Sequence, residues 1–128
     1  MLYSEITNVY SAMEETTKRI ELTNLLVNLI KSTPPDIIDK VVYLTQGKLY
    51  PDYMGIEIGV ADKLAIKAIS MCSGLNITMV EKLYKETGDV GSTALELLKK
   101  KGQATLFSEP LTVERVYATL DKIAKASG

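Results

Sequence analysis

Between Gly47 and Ile69 the chain reads GKLYPDYMGIEIGVADKLAIKAI, a run of glycines and apolar residues that leads into a helix. Gly47, Pro51, Gly55 and Gly59 break up a connection that no regular element can occupy. Glycine permits left-handed backbone conformations and lets another group come close to the main chain. The first turn of the helix that follows presents N–H groups with no partner inside the helix, and these favour an anion such as phosphate. The chemistry offered by this spacing is therefore anion binding through main-chain amides rather than bond making. The same connection carries Leu49, Tyr50, Tyr53, Met54, Ile56 and Ile58, too apolar for a solvated linker. Long loops of this kind in a compact helical domain are either functional or disordered. The alternative to an anion-binding loop is a buried Ω-type loop with no ligand.

Other chemistries are poorly supplied. The 128 residues contain no histidine and one cysteine, Cys72, which excludes a zinc site of the usual kind. No P-loop and no carboxylate cluster suited to Mg²⁺ is present. Cys72 falls in a helical pattern with Leu64, Ala65, Ala68 and Ile69, so it is expected to be a small core residue in a reducing compartment. The N-terminal MLYSEITNVY lacks a basic region followed by an apolar run, and no segment approaches a membrane-spanning length, so neither secretion nor membrane insertion is expected. Fifteen basic residues face sixteen acidic ones, a net charge of −1, whereas free-standing DNA binders are usually basic. With only two arginines, Arg19 and Arg115, bidentate reading of base edges is not expected.

The elements that must position the loop are helical almost throughout. Ile6, Val9, Tyr10 and Met13 predict a helix over 3–14, and Leu22, Leu25, Leu26, Leu29 and Ile30 one over 18–31. Thr33-Pro34-Pro35-Asp36 starts a third with a capping hydroxyl and prolines in its first turn, and Gly47 lies just past its end. A fourth spans roughly 60–73 and stops before Gly74, with Asp62 read as its cap. Thr78, Asp89 and Thr112 are expected to cap three more, bearing Val80 and Leu83, Leu95 and Leu98, and Val113, Val116, Tyr117 and Leu120. The expected fold is a single all-α domain over 1–128, an irregular bundle of about seven helices with one long glycine-rich loop.

The order VVYLTQGKLYPDY, GIEIGVADKLAIKAI, YKETGDVG and Leu111-Thr112-Val113 with Val116-Tyr117 resembles the N-terminal DNA-binding domain of ATP-dependent DNA ligases of the archaeal and eukaryotic replicative type. The resemblance covers essentially the whole chain, which is read as an N-terminal fragment of that domain. It implies a role in replication, repair and recombination: gripping nicked duplex DNA across the minor groove, without sequence specificity, while a catalytic core closes. Carried onto this chain, the DNA-binding residues are Gly47, Lys48, Gly55, Gly59 and Lys63. Gln103, Leu106 and Phe107 resemble the short motif by which archaeal ligases bind the sliding clamp; the alternative is that Leu106 and Phe107 fold back as a local staple. The family's adenylation motif K-x-D-G is missing, since Lys85-Glu86-Thr87-Gly88 has threonine in place of the aspartate. ATP and Mg²⁺ therefore belong to the parent ligase, and the fragment is expected to use no cofactor and to be inactive alone. The resemblance implies a cytoplasmic, nucleoid-associated protein in an archaeon and a nuclear one in a eukaryote. A helical protein–protein adaptor without DNA contact is the alternative function.

Overall fold

The computed structural model describes residues 1–99 and 110–126. These form seven α-helices and two 3₁₀ turns, and no strand is found among the described residues. The helices are α1 (Tyr3–Glu14), α2 (Arg19–Ser32), α3 (Ile38–Thr45), α4 (Asp62–Ser73), α5 (Ile77–Thr87), α6 (Val90–Lys99) and α7 (Val113–Lys125). The all-α expectation and the count of seven are borne out. The described chain divides into two compact units, residues 1–59 with 110–126, and residues 60–99.

In the first unit, Ile6 of α1, Leu29 of α2, Ile37, Val41 of α3 and Val113 of α7 bury one another. Met1, Tyr3, Val9, Tyr10 and Leu44 pack around them. The segments before α1 and α7 pair antiparallel at Leu2 and Thr112. There the Tyr3 N–H donates to the Leu111 carbonyl (2.8 Å) and the Val113 N–H to that of Met1 (3.0 Å). In the second unit, Ile66 and Ile69 of α4 and Val80 of α5 form the core, with Leu75, Tyr84, Val90, Ala94 and Leu97 against them.

Several helix ends differ from expectation in which residue does the work. Thr33 is not a start cap: its buried hydroxyl donates back to the Leu29 carbonyl at 2.7 Å, closing α2. The next turn begins instead with Pro34 and the 3₁₀ turn Pro35–Ile37. Asn76, not Thr78, caps α5, its side chain accepting from the Met79 N–H at 3.0 Å. Asp62 is already inside α4, where its carboxylate accepts from the Tyr84 hydroxyl (2.8 Å) instead of capping the helix. Asp89 and Thr112 do cap α6 and α7, through the Ser92 N–H (2.8 Å) and the Arg115 N–H (3.1 Å).

The buried faces of α4 and α6 are also rotated from those the sequence suggested. The core side of α4 runs through Ile66 and Ile69; at about 100° per residue Leu64 falls on the far side of the helix, and Cys72, in its last turn, is exposed as well. In α6 the inward stripe is Val90, Thr93, Ala94 and Leu97, which leaves Leu95 and Leu98 in solvent. Thr93 is a fully buried polar residue, satisfied by the Asp89 carbonyl (2.8 Å) and the Thr87 hydroxyl (2.8 Å).

Between α3 and α4 runs the long loop. Leu49 is 1% exposed, and the Tyr117 hydroxyl of α7 donates to its carbonyl. Tyr117 is itself 8% exposed, and burial, reinforced by the neighbouring Tyr50, pushes its phenol up to about 12. A raised tyrosine pKa favours the neutral folded form, so this stability is complete below about pH 10 and is lost as pH climbs to about 12. Tyr117→Phe should flatten the alkaline limb without abolishing it, because Tyr10, Tyr84 and Lys125 are raised in the same direction. It should also lower stability at neutral pH by roughly 1–3 kcal/mol, because the Leu49 carbonyl loses its donor. Denaturant unfolding of both proteins at pH 7 and pH 11 checks both effects.

Candidate functional site

The loop begins at a helix end. Gly47 has φ +74°, its N–H donates to the Leu44 carbonyl (3.0 Å), and the Lys48 N–H reaches the Tyr43 carbonyl (2.8 Å). That bond pair is a Schellman ending, which requires a left-handed residue after the helix. The chain then passes Pro51 into the 3₁₀ turn Asp52–Met54, which Gly55 ends at φ +67°. Gly59 is left-handed too, at φ +69°.

A Cβ placed on Gly47 or Gly55 would meet nothing within 4 Å, and one on Gly59 only the Glu57 carbonyl at 3.9 Å. Glycine is needed at these three positions for the sign of φ, not to relieve crowding within the chain. The space in front of each backbone stays open to another molecule.

The loop is anchored to α7 by side chains. Tyr50 donates from its hydroxyl to Asp121 Oδ1 (2.6 Å) and accepts from Lys125 Nζ (2.9 Å), and Lys125 also reaches Asp121 Oδ2 (3.1 Å). The rings of Tyr50 and Tyr117 meet edge to face with centroids 6.2 Å apart. Lys125 lies over the Tyr50 ring and Lys40 over that of Tyr117. The Tyr50 hydroxyl, then Lys125, holds the Asp121 carboxyl below the usual carboxylate range, while the Tyr50 hydroxyl, then Asp121, raises Lys125.

The loop so held encloses an open cleft of about 340 Å³, lined by its own residues from Gly47 to Gly59. Gly47, Lys48 and Gly59 share that lining with Leu49, Tyr50 and Ile56. Gly55 does not line it, and Lys63, exposed in the first turn of α4, belongs to the other compact unit. Lys48 is not a bare charge: its Nζ lies 2.9 Å from Asp52 Oδ2. Sequence reasoning missed this pairing, since i,i+4 spacing brings side chains together on an α-helix and these two residues lie in the loop. It also missed Asp121 and Lys125, whose partner Tyr50 is some seventy residues away in the chain. Gln103, Leu106 and Phe107 lie outside the described residues.

Two sequence motifs have plain structural roles. Lys85-Glu86-Thr87-Gly88 is the last turn of α5, with Gly88 left-handed and its N–H on the Tyr84 carbonyl (2.7 Å). Asp89 then caps α6, so Gly88-Asp89-Val90-Gly91 forms a tight turn between two helices. Ser92, through its N–H and then its hydroxyl, holds the Asp89 carboxyl below its ordinary range. Among the described residues, no three histidine, cysteine, aspartate or glutamate side chains converge as metal ligands.

Fold and loop together define a helical scaffold that holds one ordered, glycine-turned loop with an open backbone. The chain belongs to the DNA ligase N terminus family, whose pattern it matches over residues 2–128. It is 52% identical over 128 residues, the whole of this chain, to a DNA ligase of Nitrosopumilus maritimus. It is 50% identical over 133 residues, 98% of this chain, to DNA ligase 2 of Thermofilum pendens. A DNA ligase of Thermococcus onnurineus is 43% identical over the whole chain. The chain spans 22% of the length of each of the first two proteins and 23% of the third.

Asp121 gives a pH dependence with a definite sign. Its depressed pKa means that its contribution is present above the ordinary value of 3.8 and is lost as pH falls through the lower folded value. Asp121→Asn should flatten the acid limb of the stability profile without abolishing it, because Asp89 titrates in the same direction. Melting temperatures from pH 2 to 6 for both proteins check this; identical acid limbs would show that Asp121 carries none of it.

Proposed function

We propose that this chain is the first part of the DNA-binding domain of an ATP-dependent DNA ligase, gripping nicked duplex DNA through its loop without reading sequence. The observation that carries the reading is the loop itself, in a chain of the ligase family: three left-handed glycines with open space before their backbones, on an anchored scaffold. The Gly47 and Gly55 N–H groups already donate to the Leu44 and Asp52 carbonyls. What these glycines offer is therefore close approach of the sugar–phosphate backbone to an open main chain, a contact that positions a protein on DNA but carries no sequence information. Lys63, and Lys48 if DNA phosphate displaces Asp52, supply the charge. ATP and Mg²⁺ act in the remainder of the parent ligase, and with archaeal relatives the proposed location is the cytoplasm.

Titrating nicked duplex into the chain at low and moderate salt tests the reading. Salt-sensitive binding that is indifferent to sequence supports it; absence of binding at low salt leaves the protein–protein adaptor. Gly59→Val should weaken binding more than Lys122→Ala does, because the left-handed backbone at Gly59 is one that β-branched residues avoid, while Lys122→Ala removes only one exposed charge from α7. A folded Gly59→Val protein that binds normally would remove Gly59 from the interface.

For the segment from Gln103 to Phe107 the proposal is a sliding-clamp contact, with Gln103 at the rim of the clamp's pocket and Leu106 and Phe107 filling it. A small apolar anchor usually carries most of such an interface's energy. Replacing Leu106 and Phe107 together by alanine should abolish clamp capture in a pull-down and leave the melting temperature unchanged. If the two side chains are a staple instead, the same change costs about 2–4 kcal/mol of stability and clamp capture survives.

A further inference from the structure

The tip of the loop carries a side chain that neither the cleft nor the anchoring network uses. Tyr53 is 88% exposed, more than any other large apolar side chain among the described residues, and Met54 beside it is 46% exposed. At a loose loop tip such exposure would be ordinary. Here the backbone beneath it is fixed. Tyr53 is the middle residue of the 3₁₀ turn, entered through Pro51, with the Met54 N–H on the Pro51 carbonyl and the Gly55 N–H on that of Asp52, both at 3.1 Å. The Lys48–Asp52 pair straps this turn to the start of the loop, and the Tyr50–Asp121 hydrogen bond ties the loop to α7. The result is an aromatic ring presented to solvent from a hydrogen-bonded turn that ends at Gly55.

We infer that Tyr53, with Met54 beside it, is a DNA-contacting residue: an apolar wedge that lies in the minor groove of the duplex held by this loop. The inference rests on the DNA-binding reading proposed above. Apolar side chains pressed against sugars and base edges are a recurrent means of holding the minor groove. A tyrosine ring brings a large rigid contact at small conformational cost, with a hydroxyl that tolerates the wet groove. Such a contact is indifferent to sequence where it rests on the sugars that wall the groove, which are alike. It also answers the charge problem. A chain of net charge −1, whose loop lysine is already paired with Asp52, needs a source of affinity that is not electrostatic.

The sequence has no tryptophan, so Tyr53→Trp installs a single indole reporter at the tip. Adding nicked duplex should quench its emission, while an indole at the also highly exposed Ile20 of α2 should be unaffected. Tyr53→Ala should keep the melting temperature and weaken duplex binding by at least about fivefold, in line with aromatic contacts to bases. The slope of log K against log salt should not change, since no charge is removed, whereas losing a phosphate contact lowers it by about one. Binding within about twofold of the unmodified chain, a reduced salt slope, or equal quenching at both indoles overturns the wedge and leaves the DNA-binding reading standing. An unmodified chain that does not bind the duplex overturns both.

Discussion

The bond between the Tyr117 hydroxyl and the Leu49 carbonyl is the contact on which the loop's form depends. A long connection with little regular structure leaves main-chain groups that must find partners if they are buried. Tyr117 supplies one from inside the first unit, while its ring meets that of Tyr50 edge to face and lies under the charge of Lys40. Next to it, Tyr50, Asp121 and Lys125 form a closed set of donors and acceptors. Within the first unit, helix α7 thus has two tasks. Val113 closes the core, and the residues from Tyr117 to Lys125 hold the loop.

Much of this was legible in the sequence, for identifiable reasons. Helical spacing of apolar residues gave all seven helices, because that pattern is local and repeated several times in each element. The glycines of the loop were legible as punctuation, and each of Gly47, Gly55 and Gly59 has positive φ. Less legible were the rotations of α4 and α6, where several apolar residues compete for one narrow buried stripe. Ile66 was available beside Leu64, and Thr93 occupies a core position that its polarity disguises. Caps were misread at Thr33, Asp62 and Thr78 because hydroxyl and carboxylate side chains have several main-chain partners within reach. The Tyr50–Asp121–Lys125 set was invisible, since nothing local links residues so far apart in sequence.

Charge and geometry divide the work at the candidate interface. A basic protein can hold DNA by neutralising phosphates, at the cost of strong salt sensitivity. This chain has no such surplus, and the one cation of its loop, Lys48, is already engaged by an acid. What it has instead is a shaped main chain: glycines whose φ no other residue favours, and a turn braced from both sides. On the proposed reading, such a domain grips DNA by the shape of its main chain more than by its charge.

The first unit is discontinuous along the chain, its α7 separated from α1 to α3 by the whole of the second unit. Synthesis proceeds from the N-terminus, so Leu49 and Tyr50 leave the ribosome long before Tyr117 and Asp121 exist. At typical elongation speeds the wait is roughly 3–15 s. Throughout it the apolar loop lacks its anchor and Val113 is missing from the core. The second unit, by contrast, draws its contacts from one continuous stretch and can close as soon as α6 emerges. The order of assembly is therefore inverted relative to the order of translation: the inserted unit is complete first, and the unit that opens the chain is finished last.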